Sequence, residues 1–211
     1  MQRRMRWAIL LFLGILAAVT VFGMVQLEGQ IAIHFDVSGQ PDAFMHVVPG
    51  LLVLPLVTAL ALLFFHYLPR IDPLGDNYES FSDLFSLLKV LITGIMTYIQ
   101  GLIVLWNMGY TYDPVLMLVP VIVSAYFLAG RIMEEADRNW FIGIRTPWTL
   151  SSDAVWDRTH ETVAPLMKLA AAIAVLPIFF PRYGVYFFAL PAFLIAVFSF
   201  VYSYWIYTEE D

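Results

Sequence analysis

Four side chains able to ligate a metal, His34, Asp36, Asp42 and His46, fall within 13 residues of one another. Imidazole and carboxylate together suit zinc or another divalent ion. The same residue types in a polar loop also serve as local hydrogen-bonding groups, and we expect the four not to converge on one ion and no cofactor to be needed. A second concentration lies at 139–160, where Trp140, Trp148, Trp156, Arg145, Arg158 and His160 share 22 residues. Tryptophan settles where apolar and wet environments meet, and arginine beside it can hold an anionic headgroup or stack on a ring. Neither cluster forms a catalytic constellation. There is no His-Glu-x-x-His, no Gly-x-Ser-x-Gly and no phosphate-cradling glycine loop. His160-Glu161 is an isolated pair, and no intramembrane aspartate pair appears, so a non-enzymatic protein is expected.

The elements that must position these groups follow from breakers and caps. In the first cluster, residues 38–41 read as a turn, with Gly39 supplying positive φ and Pro41 a fixed one. Ile31, Ile33 and Phe35 alternate, which allows a short interfacial strand. In the second, Gly143 and Pro147 break helix on either side of Arg145. This pattern predicts Arg145 and Trp148 held against the bundle, with Arg145 at least partly buried. Ser151 or Thr149 can cap a new helix with Asp153 in its first turn. That helix would carry Trp156 and His160 four apart on one face, near Val163, and lie in the interface until Pro165 turns the chain. Three readings stay open for 139–160: an amphipathic connector that seals one face, a recognition surface for a protein or lipid headgroup, or a catalytic loop.

The frame around both clusters is apolar. Of 211 residues, 61% are hydrophobic and 13% charged, and the mean hydropathy is +0.77. A soluble domain is nearer half apolar and a quarter charged. Runs close to 20 residues with almost no charge match a hydrocarbon core about 30 Å thick. We read an all-α polytopic membrane protein of one domain with six spans: 7–25, 47–68, 84–108, 114–133, 165–180 and 184–207. The first resembles a signal peptide but lacks an Ala-x-Ala site, so it reads as an uncleaved span. Of the eleven lysines and arginines, all but Arg182 fall on one side if the N-terminus is cytoplasmic. Both termini and the 134–163 loop are then expected inside and 26–46 outside. The net charge of −6 is scattered, no basic run suggests nucleic acid, and the absence of cysteine excludes disulfides and thiol catalysis. Thr93, Thr97 and Gly101 recur every four residues, a stripe for close helix packing. Gln100 is expected to bond another helix or a nearby carbonyl, and prolines 55, 120, 177 and 191 to bend spans.

The run Asn139-Trp140-Phe141-Ile142-Gly143-Ile144-Arg145-Thr146-Pro147-Trp148-Thr149-Leu150-Ser151, continued by Val155-Trp156-Asp157-Arg158-Thr159-His160, resembles the signature of the SdpI family of bacterial and archaeal membrane proteins. The outer loop is similar to the small domain of unknown function often found ahead of the SdpI region, a pattern of Ile-Pro-x-His followed by Gly and Asp. His34, Gly39 and Asp42 match it, and Ala32 stands where proline is usual. The four-span region 84–211 would be SdpI-like, with 1–68 carrying the outer motif. The resemblance implies immunity: a named member protects its producer from a secreted, membrane-acting peptide toxin and holds a transcriptional repressor at the membrane when toxin is present. It implies recognition residues at Asn139, Trp140, Gly143, Arg145, Thr146, Pro147, Trp148, Thr149, Trp156 and His160, and at His34, Gly39 and Asp42. Expected partners are the bilayer, an extracellular peptide toxin and a cytoplasmic regulator, with no direct nucleic acid; the expected location is the cell membrane. A small transporter or flippase, or a metal-dependent membrane enzyme using the His34 loop, are the alternatives. Uptake assays would discriminate the first and metal analysis the second.

Overall fold

The computed structural model describes residues 2–210, with side chains described for 3–209. Among these, six helical stretches are long and apolar enough to cross a membrane: Arg3–Gln26, Val47–Ile71, Ser82–Asn107, Pro114–Glu135, Asp153–Ile178 and Pro181–Glu209. The protein is a polytopic, almost wholly helical membrane protein. Large apolar side chains such as Leu11, Leu60, Phe193 and Val201 are exposed along the helices. That arrangement fits lipid as the solvent, since backbone polar groups are satisfied within each helix. The one sheet among the described residues is an antiparallel hairpin of β1 (Gln30–Phe35) and β2 (Pro41–His46). It follows α1 (Gln2–Gln26) and precedes α2 (Val47–Ile71).

The chain divides into two compact units. The first holds residues up to 65 together with 86–117. Its core gathers Leu27, Ile31, Val47, Leu51, Ile103 and Val104. Gly23 permits that packing, since a Cβ there would lie 2.8 Å from Leu51 and 2.9 Å from Val104. Gln100 on α3 (Ser82–Asn107) donates to the Thr20 hydroxyl (3.1 Å) and the Leu51 carbonyl (3.0 Å), the interhelical bond expected of it. Thr93 and Thr97 are buried, and the Thr97 hydroxyl donates to the Phe12 carbonyl at 3.2 Å. The expected stripe stops there: a Cβ on Gly101 would meet open space, whereas one on Gly94 would touch Phe12 at 3.4 Å. Helix periodicity found the face but assigned the close approach to the wrong glycine.

The second unit holds residues 66–85 and 118 onward. The fourth span is broken into α4 (Pro114–Met117), which belongs to the first unit, and α5 (Val119–Glu135), with Pro120 at the start of α5 instead of bending a continuous helix. Next come α6 (Pro147–Ser151), α7 (Asp153–Ile173) and α8 (Gly184–Glu210). The α5–α7 contact is tight, because a Cβ on Gly130 would lie 2.9 Å from the Ala164 carbonyl oxygen. Ala164, Ala170, Ala171 and Ala174 are all buried, the small-residue surface that lets membrane helices approach. Two expectations are corrected here. Pro165 does not turn the chain into a fifth span; α7 runs through it unbroken. The cap of that helix is neither Ser151 nor Thr149 but Ser152, whose hydroxyl accepts from the Val155 N–H at 3.3 Å. Thr149 is instead spent on the short helix before it.

Candidate functional site

Two polar regions carry the candidate residues, one in each unit. The hairpin is built from its turn outward. Asp36 Oδ1 accepts from the Ser38 N–H (2.8 Å), the Ser38 hydroxyl (2.7 Å) and the Gln40 N–H (2.9 Å). The Ser38 hydroxyl and the Gln40 amide hold the Asp36 carboxyl below its usual range. Gly39 takes φ +79° and lies where a Cβ would come 3.0 Å from Pro114, so both conformation and space call for glycine. His34 sits between two register irregularities, and its Nδ1 lies 2.5 Å from Asp42 Oδ1 on an exposed face. His46 pairs with Gln30 at the far end of the hairpin. The register therefore separates the four candidate ligands into a turn carboxylate, an exposed His–Asp pair and a distant imidazole. Among the described residues no three His, Asp or Glu side chains gather to hold a metal.

The end of α3 anchors the hairpin. The Asn107 side chain accepts from the Ala32 N–H (2.8 Å) and donates to the Ala32 carbonyl (3.0 Å), reading β1 as a neighbouring strand would. Phe35 meets Trp106 edge-on at 4.8 Å, and Trp106 meets Tyr112 at 5.2 Å. Sequence reasoning left Trp106 and Asn107 out of the site; a polar amide closing an apolar span just before Gly109 was the available signal.

In the second unit, 136–146 is an irregular segment, leading into α6 and the start of α7, that is held by buried polar groups. Asn139 is fully buried. Its oxygen accepts from the N–H of Phe141 (3.1 Å) and Ile142 (2.7 Å), and its amide donates to the carbonyls of Asp137 and Ile142 (both 3.0 Å). Gly143 takes φ +115°, and a Cβ there would lie 2.5 Å from His160 Nε2 and 3.0 Å from Trp156. The same nitrogen accepts from the Ile144 N–H at 2.9 Å. The acceptor role of Nε2 places the imidazole proton on Nδ1, 2.8 Å from the Trp156 carbonyl. Trp156 and His160 do share a face, as their spacing predicts, and their rings stack at 3.9 Å. The Trp156 indole N–H donates to the Ala136 carbonyl at 2.8 Å.

Thr146 caps α6. Its hydroxyl accepts from the Thr149 N–H (3.2 Å), while Thr149 Oγ1 accepts from the Thr146 N–H (2.9 Å), with Pro147 at the first helical position. The Thr146 hydroxyl also reaches Ser203 on α8 at 3.0 Å. Trp148 packs on Phe200 and Tyr204 at 4.9 and 5.0 Å. Arg138 bonds Asp153 and the Leu150 carbonyl, both at 2.6 Å.

The short acidic connection 72–80, which sequence reasoning did not place in the site, supports this segment. The buried Asp72 accepts from the Tyr78 hydroxyl and the Trp140 N–H, both at 3.0 Å, and from the Leu74 N–H at 2.8 Å. Burial, and then the hydrogen bond and charge of Asp72, push the Tyr78 hydroxyl well above its usual range. Asn77 donates to the Arg138 carbonyl at 2.6 Å.

Burial thus removes Asn139, Thr146, Thr149, Trp156 and His160 from direct reach of a partner. Trp148 is half-buried, and Pro147 is exposed. Trp140 stays 49% exposed. Arg145 departs from the expectation of burial: its guanidinium donates to the Trp140 carbonyl at 3.3 Å, yet the side chain is exposed. The breakers fix its backbone, but a cation with one carbonyl partner remains in contact with the surroundings.

Residues 135–203 match the SdpI/YfhL protein family, and residues 9–59 match the Domain of unknown function (DUF1648). The first match covers the buried polar segment and ends at Ser203, the partner of Thr146; the second contains the hairpin. The chain is similar to Immunity protein SdpI of Bacillus subtilis (strain 168), 29% identical over 117 residues, 54% of this chain and 56% of the relative. The chain spans about half the length of that curated relative. No solved structure matches it.

Proposed function

We infer that this chain, whose residues 135–203 match the SdpI/YfhL protein family, is an SdpI-like membrane protein that confers immunity to a membrane-acting peptide. The observation that carries this reading is the construction of 136–160. A network of buried polar side chains fixes an irregular backbone and leaves Trp140 and Arg145 together on its surface. Preorganisation of that kind suits docking, since a large aromatic and an arginine are the usual anchors of an interface. The charge bias puts this surface in the cytoplasm and the hairpin outside. We assign the hairpin, with its exposed His34–Asp42 pair, to the peptide. The Trp140–Arg145 surface goes to a cytoplasmic regulator held at the cell membrane. Residues of both regions enter as recognition groups or as their supports, and none as a catalyst.

Cysteine labelling tests the topology, because the chain has no cysteine of its own. A cysteine at Ser38 should react in intact cells; reaction only after permeabilisation would reverse the orientation. Expression in a toxin-sensitive host lacking its own immunity protein tests the function. Wild type should protect, whereas well-inserted Arg145→Ala and His34→Ala should not. Equal protection by all three would remove these residues from the mechanism. Failure of the wild type against any toxin encoded near its gene would overturn the immunity reading.

A further inference from the structure

The two-stranded sheet has two edges, and Asn107 closes one of them. The Val47 N–H donates to the Gly29 carbonyl at 3.0 Å, and the strands pair Gln30↔His46, Ile31↔Met45 and Ala32↔Phe44. Hydrogen-bonded and non-bonded pairs alternate along an antiparallel ladder. The bonded pair 29/47 therefore makes Ile31/Met45 the next bonded pair. Ala32 and Phe44 turn their N–H and C=O outward on opposite edges. The bonds to Ala32 bear this out, because Asn107 satisfies both of its groups from outside the sheet. Phe44 has no equivalent: no other group among the described residues bonds its backbone outside the ladder. Phe44 is 57% exposed, and Asp42 and His46 beside it on β2 are exposed as well.

An open strand edge is a template for another extended chain. The surroundings select its chemistry. Residues 26–65 carry Glu28, Asp36 and Asp42 and no lysine or arginine, and Asp113 lies just before α4. A cationic chain is attracted to such a field and an anionic one repelled. The exposed Phe44 ring adds an apolar contact. We propose that the free β2 edge, at Phe44, takes a cationic, extended, partly apolar peptide as a third strand. This rests on the assignment of the hairpin to the peptide partner, and it adds the mode of binding and the charge.

The test uses the full chain in lipid nanodiscs and two synthetic peptides, one alternating lysine and leucine, the other glutamate and leucine. The lysine peptide should bind at least about tenfold more tightly, the factor that corresponds to 1.4 kcal/mol. It should slow hydrogen exchange of the Phe44 amide and leave the Ala32 amide unchanged. Phe44→Pro removes only an outward N–H, which a sheet edge tolerates; Phe44→Ala keeps that N–H. Proline should weaken binding by about tenfold relative to alanine, the scale of one lost hydrogen bond. Unchanged Phe44 exchange at saturating lysine peptide would overturn the proposal, and so would equal binding by the proline and alanine variants. Exchange on the wild type decides the question even if a variant fails to fold. Equal affinity for both peptides would overturn the charge assignment. A slowed Phe44 amide in a protein that protects no cells would sink the immunity reading and leave strand addition standing. Protection without that slowing would do the reverse.

Discussion

The hairpin and the 136–160 segment look alike in sequence, as polar interruptions that mix His and Asp with aromatic residues, but they use their polar groups in opposite ways. In the 136–160 segment His160, Asn139 and Thr149 face inward and satisfy the backbone of 136–146, which has no helix or sheet to satisfy it. In the hairpin the sheet satisfies most of the backbone, so His34 and Asp42 are free to lie exposed. Buried unpaired N–H and C=O groups are costly, which is why irregular backbone in an apolar setting recruits side chains to bond it. A concentration of polar residues next to an apolar span is therefore as much a sign of backbone needing partners as of a partner to be recognised.

The contrast can be broken most severely at Gly143. Gly143→Ala adds a Cβ against His160 and Trp156 at a positive φ. We expect a loss of about 3 kcal/mol or more, combining backbone strain with overpacking, read as a lowered unfolding midpoint in detergent. Asp72→Ala should come next. It strands the Tyr78 hydroxyl and the Trp140 N–H, at about 2 kcal/mol, with Trp140 fluorescence reporting release of the segment. Asn107→Leu should cost about 1–2 kcal/mol by orphaning Ala32, and the Ala32 amide should then exchange quickly.

Smaller effects separate the regions by pH. The Asp36 pKa is depressed, so its contribution is present above the ordinary 3.8 and is lost as pH falls through the lower folded value. The Tyr78 pKa is raised, so its contribution is complete below the ordinary 10.0 and is lost as pH rises toward the folded value. The hairpin turn should loosen in acid and the 136–160 segment in alkali, followed by NMR at Gln40 and Trp140 respectively. Smallest of all, His34→Ala should leave thermal stability essentially unchanged, since the pair is exposed. A large loss would mean that the pair holds the hairpin together.

Much of the fold was legible because a bilayer imposes a length rule: apolar runs of about 20 residues marked most of the spans, whereas the fifth was read as 165–180 and its helix begins at Asp153. Helical spacing also placed Trp156 and His160 on one face, and Gly39 was readable as a turn. What sequence could not give was pairing across distance. The partner of the Trp140 amide is Asp72, 68 positions earlier, and that of Ala32 is Asn107, 75 positions later. The position of Asn107 at the end of an apolar span was a local signal, but nothing local to either side chain identifies its distant partner. The cap of α7 was misplaced for a different reason. Thr149 and Ser151 have the right chemistry, but Thr146-Pro147 starts a helix earlier and uses Thr149 as its third residue. Likewise Pro165 was overweighted as a breaker, since α7 runs through it.

Site-resolved hydrogen exchange on the full chain in nanodiscs tests the contrast between the two regions most directly. The amides of Trp140, Ile142 and Ile144 donate to Asp72, Asn139 and His160. They should exchange as slowly as the amides of α7, while the Phe44 amide on the open edge exchanges fast. Fast exchange at Trp140, Ile142 and Ile144 would make 136–160 an ordinary loop and contradict the account of it as a preorganised platform.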